Sequence, residues 1–512
     1  MREGNKWHIG VLLLTLAIVP AWGQDPQSSA ANQDSSQQPS TPVPAYGQGN
    51  PVTENPPVSG LDEPGLEPHA APLSYLQPGV HVAESADSNI GDTLGGSATH
   101  SRTNALGSVQ LERLWSNYDL GLDYLGGVAY YNAAGLGFRQ VEELNAEQAI
   151  NWKRGKLTVR DCFSYLPEGN IAEVYGMRAA PEETPIVSCG GNQALFFGGS
   201  VGATLEQVSR IANLTLVDIS QYLSPKSSIT VVGGYGFVHF LSGSQQFSNI
   251  NFLGNTEVSG ELAYNRVLGP HDQAAIVYAY QGFRFSTAQI IGTVVFPSTS
   301  FHTHVAELMW GHRISGRLNL TAAAGPQLTN LNGPELTCDG ATTNLTVQQC
   351  QQLPPPLGPG IVGFNQLHAK SLGVAGRFAL HYRFPKTDVG LEYDRYTTAG
   401  SGFFAGSKTD RATLSINRPV TRVWSAFADG GYSKNVRLFP TDAGADATRF
   451  SYTFAGGGLH RRFGREFRLF VSYQFNDLKL EGPICGAVSS CTAIRNVGTV
   501  GVDWSPRPIR LD

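Results

Sequence analysis

The residues of this 512-residue chain that could do chemistry are few and scattered. His302-Thr303-His304 sets two imidazoles on one face of an extended segment, a spacing that some metal sites use. The nearest carboxylate, Glu307, falls on the opposite face of such a strand, so a loop-edge pair without metal is the better reading. Gly233-Gly234-Tyr235-Gly236 resembles a phosphate-loop fragment. No helix pattern follows it, so its glycines belong to a strand. Asn213-Leu214-Thr215, Asn319-Leu320-Thr321 and Asn344-Leu345-Thr346 match the glycan acceptor pattern. Two of them lie in predicted strands, and chance accounts for them. No nucleophile has a histidine and a carboxylate in its sequence neighbourhood. A Ser, a His and an acid dispersed along the chain would have to converge at one wall to make a hydrolase. The expectation is no enzyme, no metal and no cofactor.

The cysteines speak of the compartment. Cys162, Cys189, Cys338, Cys350, Cys485 and Cys491 contain no CxxC pair, and their spacings lack the geometry of a metal cluster. All lie in or beside long connections and fall into three local pairs, each bracketing one predicted surface loop. An oxidising compartment favours disulfides of that kind, Cys338–Cys350 and Cys485–Cys491 foremost.

The elements that must carry these residues are strands. From Phe467 to Asn476, Phe467, Leu469, Val471, Tyr473 and Phe475 alternate with Arg468, Phe470, Ser472, Gln474 and Asn476. Successive side chains of a strand point to opposite faces, so one face is apolar and the other wet. An apolar face toward lipid and a wet face toward a lumen define a transmembrane β-barrel strand. Eight tight turns join such strands: Trp115–Asp119, Trp152–Lys156, Ser224–Ser227, Leu268–Asp272, Ile314–Arg317, Phe384–Asp388, Arg418–Arg422 and Phe463–Glu466. Longer connections fall near 166–205, 240–256, 286–301, 330–366, 397–407, 438–448 and 481–494. Short turns on one side and long loops on the other are the outer-membrane pattern. Eight hairpins, a last strand at Arg495–Trp504 and a partner at Tyr75–Ala83 give about 18 strands, with 16 as the alternative.

On this reading the lumen carries Arg377, His381 and Arg383 from one strand, Glu392 and Asp394 from the next, and Arg468 from a later one. Leu372, Val374, Phe378, Leu380, Tyr382 and Phe384 face lipid. Setting Phe384 opposite Val389 puts His381 opposite Glu392. Gln110, Glu112, Asp119, Asp123, Arg160, Glu261, Asn265 and Asp503 join the polar face. Such a ring either ties the wall together or tunes the selectivity of an aqueous pore.

Composition agrees. Charged residues make up 15% against about 25% in soluble domains, with 59 Gly and 10% aromatics. The net charge of −5 points to no particular partner, and the lack of a basic patch argues against nucleic acid. Arg2 and Lys6, the apolar run Ile9–Val19 and Ala21-Trp22-Gly23 read as a signal peptide over 1–23. No later apolar run approaches the length of a spanning helix. Residues 24–72, rich in Pro, Ser and Gln, read as a disordered periplasmic segment, and 73–512 as the barrel.

Several motifs carry a family resemblance. They are Leu114-Trp-Ser-Asn-Tyr-Asp119 with Tyr124-Leu-Gly-Gly127, Trp152-Lys-Arg-Gly155 with Phe163-Ser-Tyr-Leu-Pro-Glu-Gly169, and Gly311-His-Arg-Ile-Ser-Gly-Arg317. Tyr382-Arg-Phe-Pro-Lys-Thr387, Asn417-Arg-Pro419 with Arg422-Val-Trp-Ser-Ala426, Val471-Ser-Tyr-Gln-Phe-Asn476 and Asp503-Trp-Ser-Pro-Arg-Pro-Ile-Arg510 continue it. The chain resembles uncharacterised porin-like outer-membrane β-barrel proteins of Gram-negative bacteria. The resemblance implies an exported barrel in outer-membrane lipid, placed there by the barrel-assembly machinery. It brings no substrate and no catalytic residue. Unlike better-known porins, which end on an aromatic, this chain follows Trp504 with a polar tail, Ser505–Asp512. The expected role is passive diffusion of small hydrophilic solutes. Its rivals are a plugged barrel displaying loops for adhesion or envelope assembly, and a lipid hydrolase.

Overall fold

The computed structural model describes residues 57–59, 74–89, 98–132, 137–167, 209–241, 254–285, 290–291, 294–295, 299–338, 362–400, 405–438, 449–482, 485 and 490–511. Period-two alternation becomes strand throughout. The first half runs β1 (Tyr75–Asp87), β2 (His100–Leu114), β3 (Tyr118–Tyr131), β4 (Gly137–Trp152), β5 (Gly155–Leu166), β6 (Arg210–Ser224), β7 (Ser227–Phe240), β8 (Asn255–Val267) and β9 (Asp272–Phe285). A minimal hairpin, β10 (Ile290–Ile291) and β11 (Val294–Val295), pairs only with itself. The second half runs β12 (Thr299–Ser315), β13 (Leu318–Cys338), β14 (Val362–Phe384), β15 (Thr387–Thr398), β16 (Ser407–Pro419), β17 (Trp424–Arg437), β18 (Arg449–Phe463), β19 (Phe467–Glu481) and β20 (Ser490–Trp504). β21 (Ile509–Arg510) follows.

Every wall strand pairs antiparallel with its chain neighbours, β9 pairs with β12, and β20 returns to β1, Val80 opposite Trp504 and Asp87 opposite Val497. The wall is thus a closed antiparallel barrel of 18 strands, the larger of the two expected numbers. All eight tight turns lie at one end, where the chain also enters β1 and leaves β20. Among the described residues no helix is long and apolar enough to cross a membrane.

Two elements outrun the expectation. The connection expected over 330–366 shrinks to 339–361, because Asn330–Cys338 and Val362–Gln366 pair as strand. The β13–β14 hairpin therefore extends about ten residues past Leu372, an exposed outer-face residue of β14, at roughly 3.4 Å per residue along the strand. The upper half of β14 pairs with β13 alone, since β15 meets β14 only from Thr387 to Arg395.

The outer face is apolar in layers. Val82, Ile219, Leu262, Ile276, Leu308 and Val471 are among the exposed aliphatic side chains. Trp115, Tyr118, Trp152, Trp310, Phe467 and Trp504 mark it near the turns, and Tyr130, Phe138, Tyr235, Tyr280 and Tyr432 farther up. The inner face is polar and buried, with Asp87, Arg160, Glu307, Asp394, Arg468 and Arg495 each under a tenth exposed.

Candidate functional site

The inner wall of β14–β16 brings charges together. Pro385 and Lys386 form a two-residue turn, so Phe384 pairs with Thr387 and Tyr382 with Val389. The register expected from the sequence is off by two residues. His381 faces Gly390, not Glu392, and Arg377 faces Asp394. Arg377 Nε lies 3.5 Å from Asp394 Oδ1. Arg411 of β16, absent from the sequence-based list, reaches Asp394 at 3.4 Å and Glu392 at 3.7 Å. Two guanidinium groups therefore balance two carboxylates. Arg383 pairs with Asp388 at 3.4 Å beside the turn, apart from this cluster. The alternation itself holds: Leu372, Val374, Phe378 and Phe384 are exposed outside while Arg377 is buried inside. Glu307 of β12 and Tyr396 of β15 are buried on the same inner face.

A second cluster locks the seam. Arg468 holds Asp503 through Nε and Nη2, each at 2.9 Å. His81 Nδ1 lies 2.8 Å from the other carboxylate oxygen, and His81 Nε2 lies 2.8 Å from Ser108 Oγ. Ser108, His81 and Asp503 thus stand in the order of a nucleophile relay, from β2, β1 and β20. Closure of the barrel assembles it, which no local motif could announce. Farther up the seam, Arg495 binds both oxygens of Asp87, with each side chain 1% exposed.

Toward the loop end, one apolar cluster interrupts the polar inner wall. The tip of β15 leaves β14, and Ala399 and Ala405 pack on Phe283, Phe285, Phe301 and Leu331. Gly406 makes the tuck feasible. Its φ is +98°, and a Cβ there would stand 2.4 Å from the Phe301 ring.

Near the turns, Pro57–Ser59, expected within the disordered segment, lie against the inner wall. Ser59 N–H and Oγ–H donate to Asn265 Oδ1 at 3.2 and 2.8 Å, and Val58 is 6% exposed. So short a stretch needs no core of its own when the barrel supplies one.

The other candidates are placed plainly. His302 and His304 point outward, ring centroids 5.5 Å apart, beside Tyr278 and Tyr280, while Glu307 points inward. Among the described residues no cluster could hold a metal ion. Gly233–Gly236 lies in β7, Asn213 in β6 and Asn319 in β13. Gln110, Asp123, Arg160 and Asn265 take inner-face positions. Cys485 and Cys491 form a disulfide with Cα atoms 5.4 Å apart. Cys162, at the loop end of β5, is also disulfide-bonded. Cys189 and Cys350 lie outside the described residues, as does Asn344.

No family model and no curated protein matches the chain. Solved barrels do. The ferric-catecholate import receptor Fiu of E. coli K12 has 7% identity over 84% of this chain and 81% of its own, with a TM-score of 0.39. OccK2 of Pseudomonas aeruginosa, also solved in complex with glucuronate, has 10% identity over 85% and 98% at a TM-score of 0.40. OpdQ of the same organism has 8% identity over 85% and 98% at 0.38. At such values no residue role and no solute carries across.

Proposed function

We propose that the chain is an integral outer-membrane β-barrel, exported by its signal segment, that passes small hydrophilic solutes by passive diffusion. One observation carries the reading: a closed wall of 18 strands whose outside is aliphatic between aromatic levels and whose inside is charged. An aliphatic band between aromatic girdles suits a bilayer, and a ring of fixed charge suits water and ions. A barrel of this strand number is wide enough for an aqueous path. Refolded protein in a planar bilayer should give discrete conductance steps. Correctly folded, heat-modifiable barrels that stay silent would defeat the channel and favour the display role. Recovery in the soluble periplasmic fraction would defeat the barrel in its membrane.

The relay Ser108–His81–Asp503 favours a second reading, ester hydrolysis within the lumen. His81 would take the Ser108 proton as Oγ attacks the acyl carbon and return it to the leaving alcohol, and a water, deprotonated by His81, would then attack the acyl-serine and release the acid and free Ser108. Against it, Asp503 is already engaged by Arg468 and the flanking backbone N–H groups belong to strand ladders, so an oxyanion would depend on side chains. A fluorophosphonate probe decides: labelling lost in Ser108→Ala supports hydrolysis, and no labelling of the folded barrel removes it.

A further inference from the structure

We infer that Pro57–Ser59 is a built-in plug segment, seated in a preformed inner site at the turn-side mouth of the barrel. The wall there departs from the polar pattern. Ala263 of β8, Ala275 and Val277 of β9, Met309 of β12 and Ala323 of β13 are all buried and cluster around Val58. The inner wall carries other apolar clusters, but in this one the strand residues close around a side chain from outside the wall, Val58, and burying it there removes apolar surface from water. The patch is shaped for its occupant. Gly311 faces Val58 with no side chain of its own, and a Cβ at that position would lie 3.1 Å from Val58 Cγ2. A polar latch sits next to the apolar seat. Asn265 accepts two hydrogen bonds from Ser59, and its Nδ2 donates to Thr230 Oγ1 at 3.1 Å. Thr230 is fully buried and Asn265 is 4% exposed, so both amide ends of Asn265 are used and its orientation is fixed. The seat therefore selects a short apolar residue followed by a hydroxyl, which this chain provides in Val58-Ser59. Pro57 and Val58 lie beside the β6–β7 and β8–β9 turns, at the turn-side mouth.

That the seat restricts flow rests on the channel reading; that the segment occupies it does not. The full-length Val58→Cys/Gly311→Cys variant tests both. The Val58 Cβ lies 3.9 Å from an ideal Cβ on Gly311, within the span a disulfide bridges. Mass spectrometry of the oxidised, heat-modifiable barrel should show the 58–311 linkage. Single-channel conductance of the linked barrel should fall below that of Val58→Asp, which puts a charge into the apolar seat and releases the segment. A folded barrel without the linkage overturns the seat, and a linked barrel that conducts, but no less than Val58→Asp, overturns the plug. If Val58→Cys/Gly311→Cys does not fold, protease access decides: cleavage near residue 58 in folded Val58→Asp but not in wild type supports the seat, and equal cleavage overturns it. If every folded variant is silent in the bilayer, the channel reading fails and the linkage alone judges the seat.

Discussion

Glu392→Gln should turn the barrel toward anions. Glu392 is the right group to change because its side chain is 38% exposed, whereas Arg377 and Asp394 are 8% and 2% exposed and hold each other in the wall. Arg377 and Arg411 face Glu392 and Asp394, with the Glu307 carboxyl also beside Arg377, and removing Glu392 shifts the cluster by one positive charge. An uncompensated charge about 6 Å from a passing ion, in a water-like dielectric, is worth about 0.7 kcal/mol, a roughly threefold change in local ion concentration. Across a tenfold KCl gradient that shifts the reversal potential by on the order of 20–40 mV. The shift should fade near 1 M salt, where the screening length is only about 3 Å. The Glu392–Arg411 contact spans 3.7 Å and is partly exposed, so its loss costs stability about 1 kcal/mol or less and folding survives. A folded, conducting Glu392→Gln barrel with the wild-type reversal potential would mean that this cluster does not face the conduction path.

Three further outcomes follow from the packing. Val471→Arg, on the outer face of β19, should destabilise the barrel by about 2–4 kcal/mol in lipid vesicles, while Ser472→Arg is tolerated; equal effects in urea titrations would undo the face assignment. Arg495→Met strands the buried Asp87 carboxylate at a cost of about 3–5 kcal/mol, and Arg495→Met/Asp87→Asn should recover most of it; a double variant no better than the single contradicts the pairing as the cause. Reduction of Cys485–Cys491, separated by 6 residues, should free a loop constraint worth about 2 kcal/mol without changing the heat-modifiable mobility, and free thiols at both positions in unreduced protein would contradict the bond.

The strand faces were legible because period-two patterning repeats at every hairpin: the outward Leu372, Val374 and Phe378 and the inward Arg377 and Glu392 all follow from it. Register was less so. One turn read as four residues where the chain uses Pro385-Lys386 alone shifts every facing pair by two, enough to exchange His381–Glu392 for Arg377–Asp394 without changing any face. The two strands of the seam were legible, but the residue pairs across it were not. His81 and Asp503 are 422 positions apart, and nothing in either neighbourhood names the other until β20 lies against β1. Val58 escaped notice for the opposite reason: a composition too polar to bury a core still contains one side chain that another element's core can take.

The tail beyond Trp504 acquires a meaning from the seam. β20 reaches β1 only at Val80, so the backbone of Tyr75–Gly79 would present an unpaired edge at the turn side. β21 covers its start, Ile509 opposite Leu76 and Arg510 opposite Tyr75, and Leu511 N–H donates to Ser74 O at 3.1 Å. An open edge is a template on which a foreign strand can add. The polar tail occupies that template from within. Ile509–Leu511 thus shield the first residues of that edge, and removing them would bare the backbone of Tyr75 and Leu76 to any strand that comes alongside.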